Sequence, residues 1–461
     1  MENFWDYSVW GPFHLISVLL LSLLLANALK ERFKTLKQSL IPTSVLGGGI
    51  LLLISGLYKL FTGNVFFDMA FFGGNGMALL EVITYHTLAL GFIASALKTS
   101  KGKLNKKRTV EIFNTGVTTV STYLMQAVFG FGVTLIAAWL MEDFFAAAGV
   151  LLPFGYGQGT GQALNYGNIY EREFGFDGGK SFGLTIAALG FISAALGGVV
   201  HLNLLKRRGV IKIDLGHDNY ELDEEVVTEG EIPMQGSMDK MTVQIALVMG
   251  TYFVAYGMMF LLGCILPGMR SVIYGFNFLL GVLSATLVKA VMSLFMKKGV
   301  MKRRYANNFL MTRVSNFFFD IMVVAGIAAI RLGIFQKYWG VITILGVGGL
   351  VLTYLYNHYV AHKLFPEYPE EQFLTMYGML TGTASTGIVL LREIDGKFRT
   401  PAADNMVYQN LPAIVFGFPM MLLATLAPVK PILTMVILVL FFLAMNVILF
   451  RSCIFKKKIR K

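Results

Sequence analysis

Pro153-Phe-Gly-Tyr-Gly-Gln-Gly-Thr-Gly161 is a polar, glycine-dense stretch set between long apolar segments. Glycine at 155, 157, 159 and 161 rules out a regular helix across it. Backbone that leaves helical geometry at membrane depth has to be buried in protein or line an aqueous cavity, because lipid satisfies neither N–H nor C=O groups. A second interruption, Tyr377-Gly-Met-Leu-Thr-Gly-Thr-Ala-Ser-Thr-Gly387, follows in the other half of the chain. Matching interruptions in corresponding halves are the sequence pointer to a secondary transporter's binding site.

The setting of these stretches is a membrane. The 461 residues are 55% hydrophobic and 14% charged, with a mean hydropathy of +0.64, too apolar for a soluble protein of several domains. About eleven stretches reach the roughly 20 apolar residues that a helix needs to cross the hydrocarbon core, which leaves little room for a soluble catalytic domain. The first, 12 to 29, follows Glu2 and Asp6 rather than a basic region and lacks a small-residue cleavage site, so it reads as a retained span and not a signal peptide. A formal charge of +12 would suggest nucleic acid in a soluble protein. Here the Lys and Arg residues sit in short loops, which is a topology signal, and no nucleic-acid partner is expected. Cys264 and Cys453 fall near opposite faces, which argues against a disulfide and against a cysteine metal cluster.

Basic clusters at 30–37, 98–108, 206–208, 297–304 and 456–461 are expected on the cytoplasmic side. Spans at 12–29, 40–61, 78–97 and 110–140 then leave Glu142 and Asp143 outside, and one full span, 181–204, brings the chain back in by Lys206. Parity makes 144–180 a re-entrant hairpin entered from outside. In the second half, spans at 241–265, 271–296, 314–335 and 338–360 place His362 to Gln372 inside. A second hairpin, 373–395, then enters from the cytoplasm, and spans at 402–426 and 431–450 lead to a cytoplasmic C-terminus. The expected fold is an all-α polytopic membrane protein with inverted-topology repeats and two oppositely oriented re-entrant hairpins. Its parts are a first repeat over 1–205, a linker over 206–240, a second repeat over 241–427, and an extra span with a basic tail over 428–461. The linker carries nine Asp or Glu against five Lys or Arg and reads as a solvated cytoplasmic loop.

Hairpin tips offer helix N-termini that favour a carboxylate and unwound carbonyls that suit sodium. Gln158, Gly159, Thr160 and Gly161 are therefore anion-site candidates in the first hairpin. In the second, Thr381, Thr383, Ser385 and Thr386 supply hydroxyls, while Gly382 and Gly387 allow close approach. Thr383, Ser385 and Thr386 are assigned to substrate, and Thr381, Gly382 and Ser385 to the ion. The alternative reading of such small residues is tight helix packing. Asp320 lies within a span and is a candidate for a cation or proton, or for pairing with Arg313 or Arg331. Asn405 and Gln409, four apart on one helical face after the second hairpin, are added to the substrate site. Glu81, Gln126 and Asn277 are further polar groups within spans; Arg392 and Glu393 read as a surface pair. His86 and His201 read as structural, without a neighbouring ligand pattern. The chain is read as lacking His-x-x-x-His metal spacing and a G-x-S-x-G elbow, and the Gly155 run lacks a P-loop lysine, so no enzyme is expected.

These residues resemble the bacterial glutamate:sodium symporters. Ile41-Pro42, Val45 and Gly47-Gly48 are similar to that family's Ile-Pro-x-x-Val-x-Gly-Gly element, and Met125-Gln126 with Gly130 and Gly132 resembles its fourth-span pattern. Gly157-Gln-Gly-Thr-Gly161, with Glu171-Arg172 and Phe174-Gly175-Phe176, resembles its Gly-His-Gly-Thr-Gly hairpin and Glu-Arg-Tyr-Gly-Phe sequel. The resemblance implies a homodimer of inverted repeats, with a scaffold part and a mobile part that contains both hairpins. It implies transport of an amino-acid anion with sodium. The chain departs from the family at Phe154, at Gln158 in place of histidine, and across Thr381 to Thr386.

The expected function is sodium-coupled uptake of glutamate or a related small carboxylate by alternating access, in the inner (cytoplasmic) membrane. Membrane lipid surrounds it, and no cofactor is expected beyond sodium as coupling ion; no transition-metal site is expected. Proton-coupled or exchange transport of another organic anion is one alternative. A membrane enzyme acting on a lipid-linked substrate, and a non-transporting sensor or assembly factor, are the others.

Overall fold

The computed structural model describes residues 3–98, 106–210, 238–395 and 399–454, with side chains except at 271, 272, 334–336, 385 and 411. The linker residues 211–237 and the basic tail from 455 lie outside them. Helix accounts for 84% of the structure and there is no strand among the described residues, so the fold is all-α. In chain order the helices begin with α1 (Tyr7–Arg32), α2 (Lys34–Gln38), α3 (Thr43–Thr62), α4 (Gly76–Leu97) and α5 (Lys106–Leu140). They continue with α6 (Leu151–Phe174), α7 (Gly179–Arg207), α8 (Lys240–Ile265), α9 (Arg270–Gly275), α10 (Asn277–Lys297) and α11 (Asn308–Ala328). The chain ends with α12 (Leu332–Leu364), α13 (Pro369–Thr381), α14 (Ala384–Arg392), α15 (Ala402–Tyr408), α16 (Asn410–Leu426), α17 (Pro431–Leu449) and α18 (Arg451–Ile454).

Among the described residues ten helices are long and apolar enough to cross a bilayer, and the bent pair α15 and α16 makes an eleventh if it is one span. The chain is a multi-pass membrane protein. The seventh stretch is shorter than expected: α10 starts at Asn277, and Arg270–Gly275 forms the separate α9.

Local sequence sets the helix ends. Asp239 caps α8, accepting from the Met241 and Thr242 amides at 2.8 and 3.3 Å. Proline opens α13 and α17 at a position where the missing N–H costs nothing. Glu370 and Glu371 fill the first turn of α13, where the helix dipole favours negative charge. Between α6 and α7, Gly175 and Gly178 adopt φ of 71° and 77°, and Glu171 accepts from the Lys180 amide at 3.2 Å. Phe176 stacks on Phe145 at 4.6 Å, so the Glu-Arg and Phe-Gly-Phe motifs serve this turn.

By packing, the chain divides into two compact units that do not follow the sequence halves. The first holds the start of α1, α4, α8, α9, α10 and most of α11. Its core joins Leu90, Ile93 and Leu97 of α4 to Val248, Ala285, Met311 and Val314. His86 reaches the Tyr252 hydroxyl at 2.7 Å, and Asn277 donates to the Tyr85 carbonyl at 2.9 Å; both tie α4 to its neighbours. The second unit holds the end of α1, α3, α5 to α7 and α12 to α18. Each half of the sequence thus contributes to both units, and both glycine-rich interruptions fall in the second.

Candidate functional site

Only one of the four glycines in the first stretch breaks the helix. Gly159 has φ 78° and ψ −171°, a conformation open essentially to glycine alone, whereas Gly155, Gly157 and Gly161 are helical. The stretch is thus not one regular helix, and Gly159 alone makes the break. Gly155 and Gly157 are needed for contact: a Cβ on the first would press on Ile186 and the Ala187 amide, and one on the second would enter the Tyr123 ring. At Gly159 the helix folds back on itself. The Phe154 and Tyr166 rings stack at 3.8 Å, although twelve residues of straight helix would hold them about 18 Å apart. Tyr166 and Tyr170 then donate to the Met421 and Ala424 carbonyls of α16 at 2.9 and 2.7 Å.

The second interruption also folds back. Gly378 of α13 faces Gly387 of α14, where an added Cβ on Gly378 would lie 2.8 Å from the Gly387 Cα. The break occupies Gly382 and Thr383, both at negative φ, and the Thr383 hydroxyl caps α14 by accepting from the Thr386 amide at 3.4 Å. Thr383 and Thr386 hydroxyls pair at 3.2 Å, and Thr381 donates to the Tyr377 carbonyl at 2.6 Å. Ser385 lies in α14, with its side chain outside the described residues.

Helices α5 and α7 bring the two breaks together. On α5, Tyr123 donates to the Gly157 carbonyl at 3.0 Å, and Gln126 donates to the Leu380 carbonyl at 2.9 Å. Each bond satisfies a carbonyl left without an intrahelical partner near a break. Gln126 also donates to Thr353 of α12 at 2.9 Å. On α7, the Ser193 hydroxyl meets the Tyr156 hydroxyl at 2.9 Å, and its carbonyl accepts from Tyr377 at 2.7 Å. Gly190 lets this arrangement close: a side chain there would collide with the Thr381 carbonyl and with Tyr156.

Asn405 of α15 and Gln409, between α15 and α16, join the same unit. Asn405 donates to the Tyr368 hydroxyl at 2.9 Å and to Gln372 at 3.2 Å, while Gln409 accepts from Thr119 at 2.9 Å. Gln372 in turn donates to Thr115 at 3.2 Å. Tyr368 also lines a cavity of about 470 Å³ between the start of α5 and the connection from α12 to α13, rimmed by Lys106, Lys107, Glu111 and Glu367. Asp320 stands on α11, within the first unit. Several of these buried amides keep an atom without a hydrogen-bond partner: Gln126 Oε1, Gln158 Oε1, Gln162 Nε2 and Asn405 Oδ1. Such atoms cost free energy unless a ligand or water meets them.

No protein-family model matches this chain, and no curated protein matches it. The resemblance to the glutamate:sodium symporters therefore stands on the motifs themselves. Two of them have structural work in the unit: Gly130 packs against Gly149, and Gly47 against the Ser22 carbonyl of α1.

Elsewhere in the second unit three histidines, a glutamate and a tyrosine converge. His201 Nε2 lies 2.7 Å from Glu370 Oε2, and its Nδ1 lies 2.7 Å from the Tyr354 hydroxyl. His362 Nε2 lies 3.2 Å from Glu370 Oε1, and the His358 and His362 rings stand 4.1 Å apart. Burial pushes the Glu370 carboxyl up, but the hydrogen bond from His201 and the charges of His201, His362 and His358 outweigh it and leave it below the usual carboxylate range. This corrects two expectations. His-x-x-x-His spacing is present, at His358 and His362, and His201 does have neighbouring ligand groups.

Proposed function

We propose that this protein is a secondary active transporter of a small carboxylate, with glutamate or a close relative as substrate and sodium as the coupling ion. The observation that carries this is the pairing of two folded-back, broken helices in one compact unit, joined through Tyr123 and Gln126 on a single helix. Read in a membrane, the fold-backs are the two oppositely oriented re-entrant hairpins of an inverted repeat, and the unit that holds them is the moving part. The first unit is then the scaffold, through which two copies pair, in the inner membrane with the C-terminus in the cytoplasm.

The unpartnered amide atoms fit such a ligand. Both hydrogens of the Gln126 amide are engaged, so its Oε1 offers only an acceptor. Gln158 Oε1 is a second acceptor, and Gln162 Nε2 is a donor. Acceptors suit an ammonium group or a sodium ion, and a donor suits a carboxylate. Thr160 and Gly161, at the start of the helix beyond Gly159, add backbone N–H groups for the same anion.

The test is uptake of labelled glutamate into proteoliposomes with and without an inward sodium gradient. Sodium-dependent uptake that disappears in Gly159→Trp is expected. Folded protein that takes up no glutamate under sodium, and a different anion under a proton gradient, would replace this function by the proton-coupled one.

A further inference from the structure

We propose that His201, His358 and Glu370, with His362 as a fourth donor, form a binding site for a divalent transition-metal ion of the zinc class, fastening the base of α13 to α7 and α12. The site is independent of the transport function proposed above, and nothing in the two breaks contributes to it. Imidazole and carboxylate are ligands that zinc shares with neighbouring first-row metals, and none of the groups is a soft thiolate.

Geometry comes first. One ligand atom from each of His201, His358 and Glu370 lies within 4.8 Å of the other two. Zinc bonds to histidine and carboxylate at about 2.0–2.2 Å, which sets tetrahedral ligand atoms about 3.3 Å apart. The 2.7 Å contact between His201 and Glu370 opens by roughly half an ångström to reach that spacing, and the wider pairs close. The three residues come from three helices that pack on one another, and His358 and His362 are four apart on α12, on one face.

Hydrogen bonding around the cluster is compatible with a bound cation. His362 Nδ1 faces the His358 carbonyl at 2.9 Å while its Nε2 faces a Glu370 oxygen. A carbonyl and a carboxylate are both acceptors, and a neutral imidazole has one N–H to give. A metal ion lodged between ring and carboxylate would satisfy both groups. On His201, the nitrogen away from Glu370 meets Tyr354, a hydroxyl able to donate or accept. That ring can therefore move its remaining proton to Nδ1 when Nε2 takes a metal, with Tyr354 as the outer partner that fixes its orientation. Phe373 closes the inner side, 4.5 Å from the His201 ring and 5.3 Å from that of His358. Such a wall excludes water and holds the rings in place.

The experiment uses the full chain in detergent, purified without a polyhistidine tag, stripped with chelator and titrated with Zn²⁺ alone. Binding is read as metal content after desalting, as a shift of the thermal midpoint, and as the zinc X-ray absorption spectrum. About one tightly held zinc per chain is expected, with a raised midpoint and a spectrum of nitrogen and oxygen ligands that includes imidazole scattering. His358→Ala and Glu370→Gln should each weaken binding by tenfold or more, on the order seen when ligand shells are disturbed. No saturable binding by the wild-type chain overturns the proposal. So does a wild-type spectrum without imidazole scattering, a result that needs no variant to fold. Binding unchanged in both folded variants also overturns it. None of these readouts involves transport, so failure here leaves the transport assay untouched, and the reverse.

Discussion

At Gly159 a single residue, in a backbone conformation closed to side chains, turns the chain back on itself, and aromatic rings clasp the two arms. At the second break two residues at negative φ make the turn, and the helix restarts on the Thr383 hydroxyl. The arms differ as well: α14 has nine residues, and Thr383 is only half-buried, whereas Gly159 and Thr160 are fully enclosed. A conformation that only glycine adopts is rigid and intolerant. A capping hydroxyl is replaceable, and a segment held this way opens at lower cost. The first break is therefore the fixed wall of the candidate site and the second its adjustable one.

The largest effect expected from this contrast is at Gly159. Gly159→Ala should destabilise the protein by about 1–3 kcal/mol in a thermal or denaturant melt, the cost of forcing a side chain into that region. Gly382→Ala should cost less, because Gly382 has negative φ, although the added Cβ would meet the Thr386 hydroxyl at 2.9 Å and the Gly378 carbonyl at 3.1 Å. Equal losses at the two glycines would end the distinction between a fixed and an adjustable wall.

Next in size is Gln126→Leu, which leaves the Leu380 carbonyl buried without a donor. It should cost about 1–3 kcal/mol and abolish sodium-dependent uptake. Tyr123→Phe removes one bond to the first break and should cost about 1 kcal/mol with folding intact. Smallest is Thr383→Ala. Its capping bond is long, at 3.4 Å, so a loss near the bottom of the capping range, about 0.5 kcal/mol, is expected, and Thr383→Ser should restore it. A loss of several kcal/mol in a melt of Thr383→Ala would mean that the second break is as rigid as the first.

Long apolar runs made the spans legible in the sequence, because a bilayer imposes length and composition together. Glycine and threonine clusters located both breaks to within a few residues. They could not say which glycine does what, since a Gly required by its dihedral angle and a Gly required by a neighbour look alike. Gly155 and Gly157 belong to the second kind, and their neighbours, Ala187 and Tyr123, are far along the chain. The clamps were hidden for the same reason: Gln126 meets Leu380 across 254 residues and Tyr377 meets Ser193 across 184. A hint was present in the buried hydroxyls of the fourth span, Thr115, Thr118, Thr119 and Thr122, which precede Gln126 at helical spacing. The histidine cluster was half visible, in His358 and His362 on one helix. Its other half, His201 and Glu370, needed the fold, because 169 residues separate them.

Tyr123 and Gln126 stand three residues apart, so one face of α5 holds a carbonyl from each break. If the proposed ligands occupy the two breaks, their binding is coupled through that helix. If sodium at one break raises substrate affinity by some factor, substrate raises sodium affinity by the same factor, since linkage is reciprocal. Cutting the Tyr123 bond should move both factors towards unity together while leaving either ligand able to bind alone. On the proposed transport function, two half-sites would then remain, each responding to its own ligand, and a sodium gradient would no longer concentrate the solute.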